Sequence, residues 1–451
     1  MGYLGHKPTP IPLTSADITD GTIALADMAV NSIDSDQYVD GSIDEAHIAD
    51  NAVSLAKMAG GTDGNIISFD ASGNPVAIAT GNDGQVLTSA GAGAPPAFEA
   101  AAGGGDTRNF IIDGDFTQWP SGTSFADIGN NVYASALWRH EESTTVAAHT
   151  LSRHTDIPTV AQSKHQSAYS MDWNCTTIDA SIGADDLKVM QYYITGSDFT
   201  YLHQQQVTLA FWIKATVTGT QGGSFVNSAY DRSYPFSFTV SDADTWEYKT
   251  VSLTMDTSGT WLFTEADIGT RVRFCVVGGS NRIGTANTWQ SGNVYGPTGI
   301  VNNVSSTSNI YRIAQVGLYL GSSAPSTFLG EPVTTVRNQV DYYVQRYNYD
   351  ETSGERVCMA ACTGTNGMTG FVPFRAAMRK APTITTSAVS TFNGDDGIQL
   401  VVCNVFQSLH ATKHNVLLNI TQAGTNWTDG NGAQVTRAGT STSFIMADAR
   451  H

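Results

Sequence analysis

Apolar residues recur at every fifth position along the first sixty: Leu13, Ile18, Ile23, Met28, Ile33, Tyr38, Ile43, Ile48, Val53 and Met58. With 41% of the chain hydrophobic, an unbroken run of that length arises by chance roughly once in ten thousand trials. No single regular element keeps such a period on one face. Five residues of helix turn by about 500°, which moves the side chain about 140° at each step. Five residues of strand place it on the opposite face. The pattern therefore predicts a small repeated unit ten residues long, with Asp20-Gly21 and Asp40-Gly41 as turns. Stretches such as Ala24–Asp27 and Asp44–His47 read as single helical turns, capped by the hydroxyls of Thr22, Ser32 and Ser42. Each unit offers two large apolar groups, too few for a core, so the repeat needs neighbours. Identical chains in register about one axis, most economically three, would supply them. The alternative is a solvated loop with chance periodicity.

Beyond Gly60-Gly61 the pattern changes. Ile66–Phe69 and Val76–Ile78 flank Asp70-Ala71-Ser72-Gly73-Asn74 as a hairpin, and Gly84–Thr88 is a further strand. The Ala/Gly/Pro-rich stretch from Ala90 to Gly105 reads as a flexible joint. Strand-like runs follow at Val207–Val217, Tyr234–Val240, Tyr248–Met255, Arg271–Val277 and Ile310–Leu320, a spacing that suits an antiparallel sandwich or jelly roll. Val333, Val336, Val340, Tyr343, Val344 and Tyr347 keep three-four spacing and predict one helix over 331–347, begun by Glu331-Pro332. Short strands return at Gly370–Phe374, Thr383–Ala388, Gln399–Phe406, Asn415–Ile420 and Ser443–Ala447. The expected fold class is all-β, with a repetitive, trimeric N-terminal stalk, a central jelly-roll β-sandwich, one connecting helix and a smaller C-terminal β-sandwich. The expected boundaries are 1–12, an attachment segment; 13–60, the stalk; 61–105, hairpins and linker; 106–330, the jelly roll; 331–350, the helix; and 351–451, the C-terminal head.

Composition supports this reading and narrows function. There are 44 glycines and only 14% charged residues, in keeping with turn-rich β structure. The net charge of −18, with no Lys/Arg cluster, argues against nucleic acid and anionic membrane as partners. No apolar run is long enough for a transmembrane helix, and Met1–Pro12 lacks a signal peptide pattern. Five cysteines, Cys175, Cys275, Cys358, Cys362 and Cys403, form a sparse, odd set that suits a reduced cytosolic origin.

Several stretches resemble tailed-bacteriophage tail fibre proteins, or receptor-binding proteins, with a carbohydrate-binding-module-like jelly roll. Gly2-Tyr3-Leu4-Gly5, Pro8–Pro12 and Ser15–Ile23 are similar to fibre N-termini, and Gly84–Ser89 with Gly91–Pro96 to a motif of phage structural proteins. Asn109–Trp119 with Gly122–Phe125 resembles the opening strand of the jelly roll; Val207–Ala215, Thr288–Gly292 and Gln315–Leu320 resemble its later strands. Phe371–Phe374, Met378-Arg379, Ala381–Thr383 and Ala447–Ala449 are similar to its usual C-terminal partner. The resemblance implies a homotrimeric virion tail fibre, made in the host cytoplasm. Its N-terminus would dock on phage tail proteins, and its distal head would adhere to bacterial surface polysaccharide. Related jelly rolls often carry an acid after the opening-strand Phe, near a structural calcium; Thr117 stands there instead.

Catalytic patterns are absent: no HExxH, GxSxG or P-loop. The acid pairs Glu141-Glu142, Asp185-Asp186 and Asp395-Asp396 have the residue types of glycoside cleavage, but adjacent acids are more often solvated loop residues. Cys358, Cys362, His410 and His414 are metal-ligand types whose gap is too long for a zinc finger. No enzyme activity, metal or cofactor is expected. Two rivals remain: a polysaccharide depolymerase tailspike, and a structural tail component without receptor binding. Sugar recognition uses aromatic faces with amide and carboxyl neighbours. Trp427, in the polar loop Gly424–Gly432 with Asn426 and Asp429, is the candidate receptor contact; the other reading is that it plugs the end of its own sandwich. Trp119, Trp138 and Trp212 are expected in the core.

Overall fold

The structure, a computed structural model, describes residues 12, 14–30, 38–39, 41, 43–49, 63–72, 75–83, 85–100, 108–349, 356–438 and 443–451. The chain divides into two compact units, Met1–Ala100 and Ala101–His451.

In the first unit the ten-residue period is visible as 3-10 turns at Ser15–Asp17, Leu25–Asp27 and Glu45–His47. Each is closed by its own reciprocal contact. Thr14 N–H donates to Asp17 Oδ2 at 2.8 Å, Ala24 N–H to Asp27 Oδ2 at 2.9 Å, and Asp44 Oδ1 meets His47 Nδ1 at 2.7 Å. Thr14 caps the first turn, and the closing contacts of the other two run from Ala24 and Asp44, which corrects the expected cap at Thr22. Thr22 instead donates its hydroxyl to Thr19 O inside the preceding turn, and Ser32 and Ser42 lie outside the described residues. Gly21 and Gly41 hold φ of 78° and 79°, the left-handed turn geometry that Asp-Gly predicts. Ile18, Ile23, Met28, Tyr38, Ile43 and Ile48 are each 38% to 55% exposed within the chain. Leu13, Ile33, Val53 and Met58 lie outside the described residues.

Two hairpins follow. Ile66–Phe69 pairs with Pro75–Ile78, and Gln85–Thr88 with Ala97–Ala100. The second corrects the expected joint at 90–105, because its central part is a paired strand with Leu87 opposite Phe98. Gly81 permits this: a Cβ there would lie 2.6 Å from the Phe98 ring. Residues 101–107, the rest of the expected joint, lie outside the described residues.

The second unit is built on a jelly-roll sandwich of two antiparallel sheets. One has six strands, in the order Glu247–Thr254, Gln206–Ala215, Ile310–Leu320, Ser170–Thr177, Ala148–His154, Ser124–Ala126. The other has seven, in the order Gln290–Ser291, Arg232–Val240, Gly219–Asn227, Ile268–Gly278, Leu187–Thr195, Trp138–Ser143, Val132–Tyr133. Alternation explains the layer between them. Val207, Leu209, Phe211, Ile213 and Ala215 point inward and meet Phe225, Phe236, Val272 and Phe274 from the facing sheet. Trp138 is fully buried among Phe116, Tyr192 and Phe274.

The connecting helix is shorter than its pattern suggests. It runs Val333–Asp341, and Val344–Tyr349 is a strand paired with Ser443–Asp448. The β-branched and aromatic residues after Asp341 suit a strand. Buried Gln345 stops the helix by donating Nε2 to Asp341 O and Ala376 O, both at 2.9 Å. Val336, Val340, Tyr343 and Val344 complete the jelly-roll core. Arg379 ties the C-terminal region to the jelly roll through Ala266 O at 2.8 Å, and Arg450 does so through Ala136 O at 2.8 Å.

The C-terminal region pairs a three-stranded sheet with a seven-stranded one. The expected single strand Gln399–Phe406 is two, Leu400–Val402 and Val405–Ala411, which form opposite edges of the larger sheet. Only Cys403 and Asn404 link them; Cys403 N–H bonds Phe392 O and Asn404 N–H bonds Thr421 O. So short a link requires the sheet to roll until its edges nearly meet.

Candidate functional site

The alternation that sends Phe211 and Ile213 into the core sends Ala210 and Trp212 to the outer face of the six-stranded sheet. Opposite them, the Ile310–Leu320 strand carries a bulge, seen as a register shift between Ala210 and Trp212. Gln315 sits there with φ 50°, a left-handed conformation unusual outside turns. The bulge turns Gln315 and Tyr319 toward a cavity of about 160 Å³, lined also by Gln162, Ser163, Trp212, Tyr248 and Phe328. Trp212 and Tyr248 meet with ring centroids 5.6 Å apart at 47°, and Tyr248 is the more exposed of the two. Gly317 is required at the floor, because a Cβ there would lie 2.3 Å from the Tyr319 hydroxyl. Burial pushes the Tyr319 phenol up to about 12, so it remains a neutral donor.

The polar groups of the cavity are few and oriented. Gln315 Nε2 donates to Ser163 Oγ at 3.0 Å and Ser167 Oγ at 2.8 Å, which fixes the amide. Its Oε1 is buried and has no hydrogen-bond partner. A hydroxyl-bearing ligand would satisfy that acceptor while its apolar face packs on the rings. On the same sheet face an ion network stiffens the wall. Asp156 accepts from Lys214 at 2.9 Å, Arg312 at 2.6 Å and Trp246 Nε1 at 3.0 Å. Burial opposes charge on Asp156, but these donors and the Lys214 and Arg312 charges together hold its carboxyl below the usual range.

Trp212, expected in the core, is therefore a cavity residue. Trp427, the candidate receptor contact, is the reverse: it is 2% exposed, inside the C-terminal barrel. Gly394 makes the room, since a Cβ there would lie 2.4 Å from the indole. The Trp427 N–H bond to Thr365 O and the Thr428 N–H bond to Asp396 Oδ2 hold the loop so that the ring points inward. Asn426 and Asp429 stay exposed on that loop while the Trp427 ring is buried.

The acids considered for catalysis are engaged in structural contacts. Glu142 pairs with buried Lys188, while Glu141, on the opposite face of the strand, accepts from Gln191 and Tyr295. Asp185 contacts Asn281 and Arg282; Asp186 accepts from Gly183 N–H and Thr144; Asp396 accepts from the Ile398, Gln399 and Thr428 amides. Cys358 and Cys362 are buried thiols, whereas His410 and His414 are exposed, and no trio of metal-ligand side chains occurs among the described residues. In the opening turn, the Asp113 carboxylate accepts from Thr117 N–H, Thr117 Oγ1 and Gln118 N–H at 2.7 to 2.9 Å. The Thr117 hydroxyl thus closes the turn by hydrogen bonding.

No protein family pattern matches the chain, and no curated protein does. Solved structures are similar over a little under half of the chain. One is a carbohydrate-binding module in complex with β-1,4-galactotriose, at 10% identity and a TM-score of 0.24, covering 48% of this chain and 99% of that one. Another is a family 11 carbohydrate-binding module from Clostridium thermocellum in complex with a mixed-linked tetrasaccharide, at 10% identity and a TM-score of 0.24, covering 45% and 98%. A third is a xylan-binding domain from Paenibacillus barcinonensis, at 9% identity and a TM-score of 0.21, covering 45% and 94%. Likenesses this distant carry no argument about residues. The alternation along Gln206–Ala215 is the signal in the sequence that sets Trp212 on the cavity side.

Proposed function

We propose that this chain is a non-enzymatic adhesive fibre subunit of a phage tail, and that the Trp212 cavity holds a sugar unit of host surface polysaccharide. The observation that carries the reading is the combination of aromatic wall and unpartnered Gln315 Oε1. The cavity is smaller than the ~300–1,000 Å³ usual for drug-sized ligands and suits one ring of a chain rather than a long stretch. Full-length protein titrated onto bacterial cells and purified surface polysaccharide tests it. Trp212→Ala should weaken binding about tenfold or more, without releasing reducing ends in either form. Binding unchanged in a folded Trp212→Ala protein would overturn the site, and cleavage would favour the depolymerase reading.

The oligomeric part of the proposal rests on the exposed apolar residues of the decad. Ile18, Ile23, Met28, Tyr38, Ile43 and Ile48 would face their own copies in a homotrimer, with the N-terminus on the tail and the head outward. In the C-terminal sheet, Met359 and Phe371 are register partners and both exposed, a further apolar surface for the same assembly. Ile43→Asp should shift the solution mass from trimer toward monomer, because it would bury carboxylates beside their copies. A wild-type chain that is monomeric at micromolar concentration would end the proposal.

A further inference from the structure

The outward face of the seven-stranded sheet carries guanidiniums without counter-ions. Register places Gln191 between Arg139 and Arg273, and Tyr193 opposite Arg271. Met190, Tyr192, Ile194, Val272 and Phe274 fill the core from the other face, so all five of these residues share one surface. With strands about 4.8 Å apart, the three guanidiniums fall within a patch about 10 Å wide. Arg271 is 4% exposed and Arg273 0%.

Neutral groups hold them. Arg139 donates to the Tyr193 hydroxyl at 2.9 Å, Arg271 to Asn227 O at 2.7 Å, and Arg273 to Asn293 Oδ1 at 2.7 Å and Gln191 Oε1 at 3.3 Å. None of the three makes an ion pair among the described residues. Glu141, the carboxylate that reaches this face, already accepts from Tyr295 at 2.7 Å and Gln191 at 2.6 Å. Arg139 Nε, Arg271 Nε and Arg273 Nη2 are left buried with no acceptor. An arginine cannot shed its proton, and a buried charge without a partner is strongly destabilising. In a chain of net charge −18, this is a local excess of cations, three guanidiniums against the single Glu141 carboxylate.

The patch opens at its rim. Tyr230, at φ 59°, lays its ring 4.0 Å from the Arg271 guanidinium and is 38% exposed; Arg139 and Asn293 are partly exposed. Tyr295 stacks on Arg273 from the other side at 4.1 Å. We infer that this face binds the oxyanion group, carboxylate or sulfate, of an acidic polysaccharide, with Arg139, Arg271 and Arg273 as donors and Tyr230 as the sugar platform. The inference shares the glycan with the reading above but uses the other sheet, so the two can fail separately.

Calorimetric titration of the full chain with polygalacturonate, dextran sulfate and neutral dextran tests it. An acidic polymer should bind at least tenfold more tightly than dextran, and weaken as salt rises. Preference for polygalacturonate identifies the carboxylate; preference for dextran sulfate identifies the sulfate. Arg139→Gln should lose about tenfold of that affinity and keep the Trp212-dependent binding. Tyr230→Asn, which tolerates the left-handed backbone, should lose a similar factor. Should Arg139→Gln fail to fold, the Tyr230→Asn loss and a rise in wild-type melting temperature with the acidic polymer still decide the matter. No preference over dextran, or equal affinity in folded wild type, Arg139→Gln and Tyr230→Asn, overturns the proposal.

Discussion

Trp427→Ala is expected to unfold or severely loosen the C-terminal barrel while leaving adhesion by the remaining folded protein intact. The indole lies in the cluster of Met368, Phe392, Leu418, Ile420 and Val435, and little of it reaches water. Truncating a buried tryptophan costs about 3–5 kcal/mol, from lost transfer energy and the void left behind. Its Nε1–H has no acceptor, which offsets part of the gain from burial. Gly394→Ala should act in the same direction, because the added methyl meets the same ring. Differential scanning calorimetry should show a separate, lower transition in both variants. An unchanged melting profile with lost adsorption would instead restore Trp427 as a receptor contact.

The contrast between Trp427 and Trp212 shows what was legible. Apolar patterning located the strands expected at Val207–Val217, Ile310–Leu320 and Asn415–Ile420; the last buries every second residue, while the first two are central strands buried along most of their length. The same alternation placed Trp212 away from Phe211, a signal that the general preference of tryptophan for cores concealed. Gln315 was not legible, since its role depends on a left-handed bulge that no residue type announces. Trp427 misled for a different reason. Its neighbours are polar turn residues, yet the space it fills is made by Gly394, some thirty positions upstream and adjacent only after the sheet has rolled. The arginines of the seven-stranded sheet alternate with Val272 and Phe274, so their face was readable. Their burial was not, because it comes from the distant residues Tyr230, Asn293 and Tyr295 folding over them.

Acid should destabilise the jelly roll well before its carboxylates titrate fully. His140 and His149 lie between the two sheets with ring centroids 4.7 Å apart, and both are essentially buried. Burial, with Lys188 adding to it, lowers His140 to about 4; burial, with His140 and Lys188 adding to it, lowers His149 to about 2. His140 Nδ1 donates to Gly129 O at 2.8 Å in the neutral form, while both His149 nitrogens lack partners. In the unfolded chain each would titrate near pH ~6.5. Between that value and about 4 the unfolded state binds more protons than the folded one, so stability is full above pH ~6.5 and falls as pH decreases. Each histidine contributes up to about 1.4 kcal/mol per pH unit in that window. Asp113 opposes them: burial raises its carboxyl to about 7 against the pull of the Gln118 and Thr117 donors, so its contribution is lost as pH rises. Two histidines against one aspartate leave a net slope of the order of 1.4 kcal/mol per unit, several kcal/mol by pH ~4 in a fold whose total is typically ~5–15 kcal/mol. Urea denaturation at intervals from pH 8 to 4 measures it, and His149→Phe, which removes the more deeply shifted group, should flatten the profile. A wild-type midpoint independent of pH across that range would show that the pair is not buried neutral between the sheets.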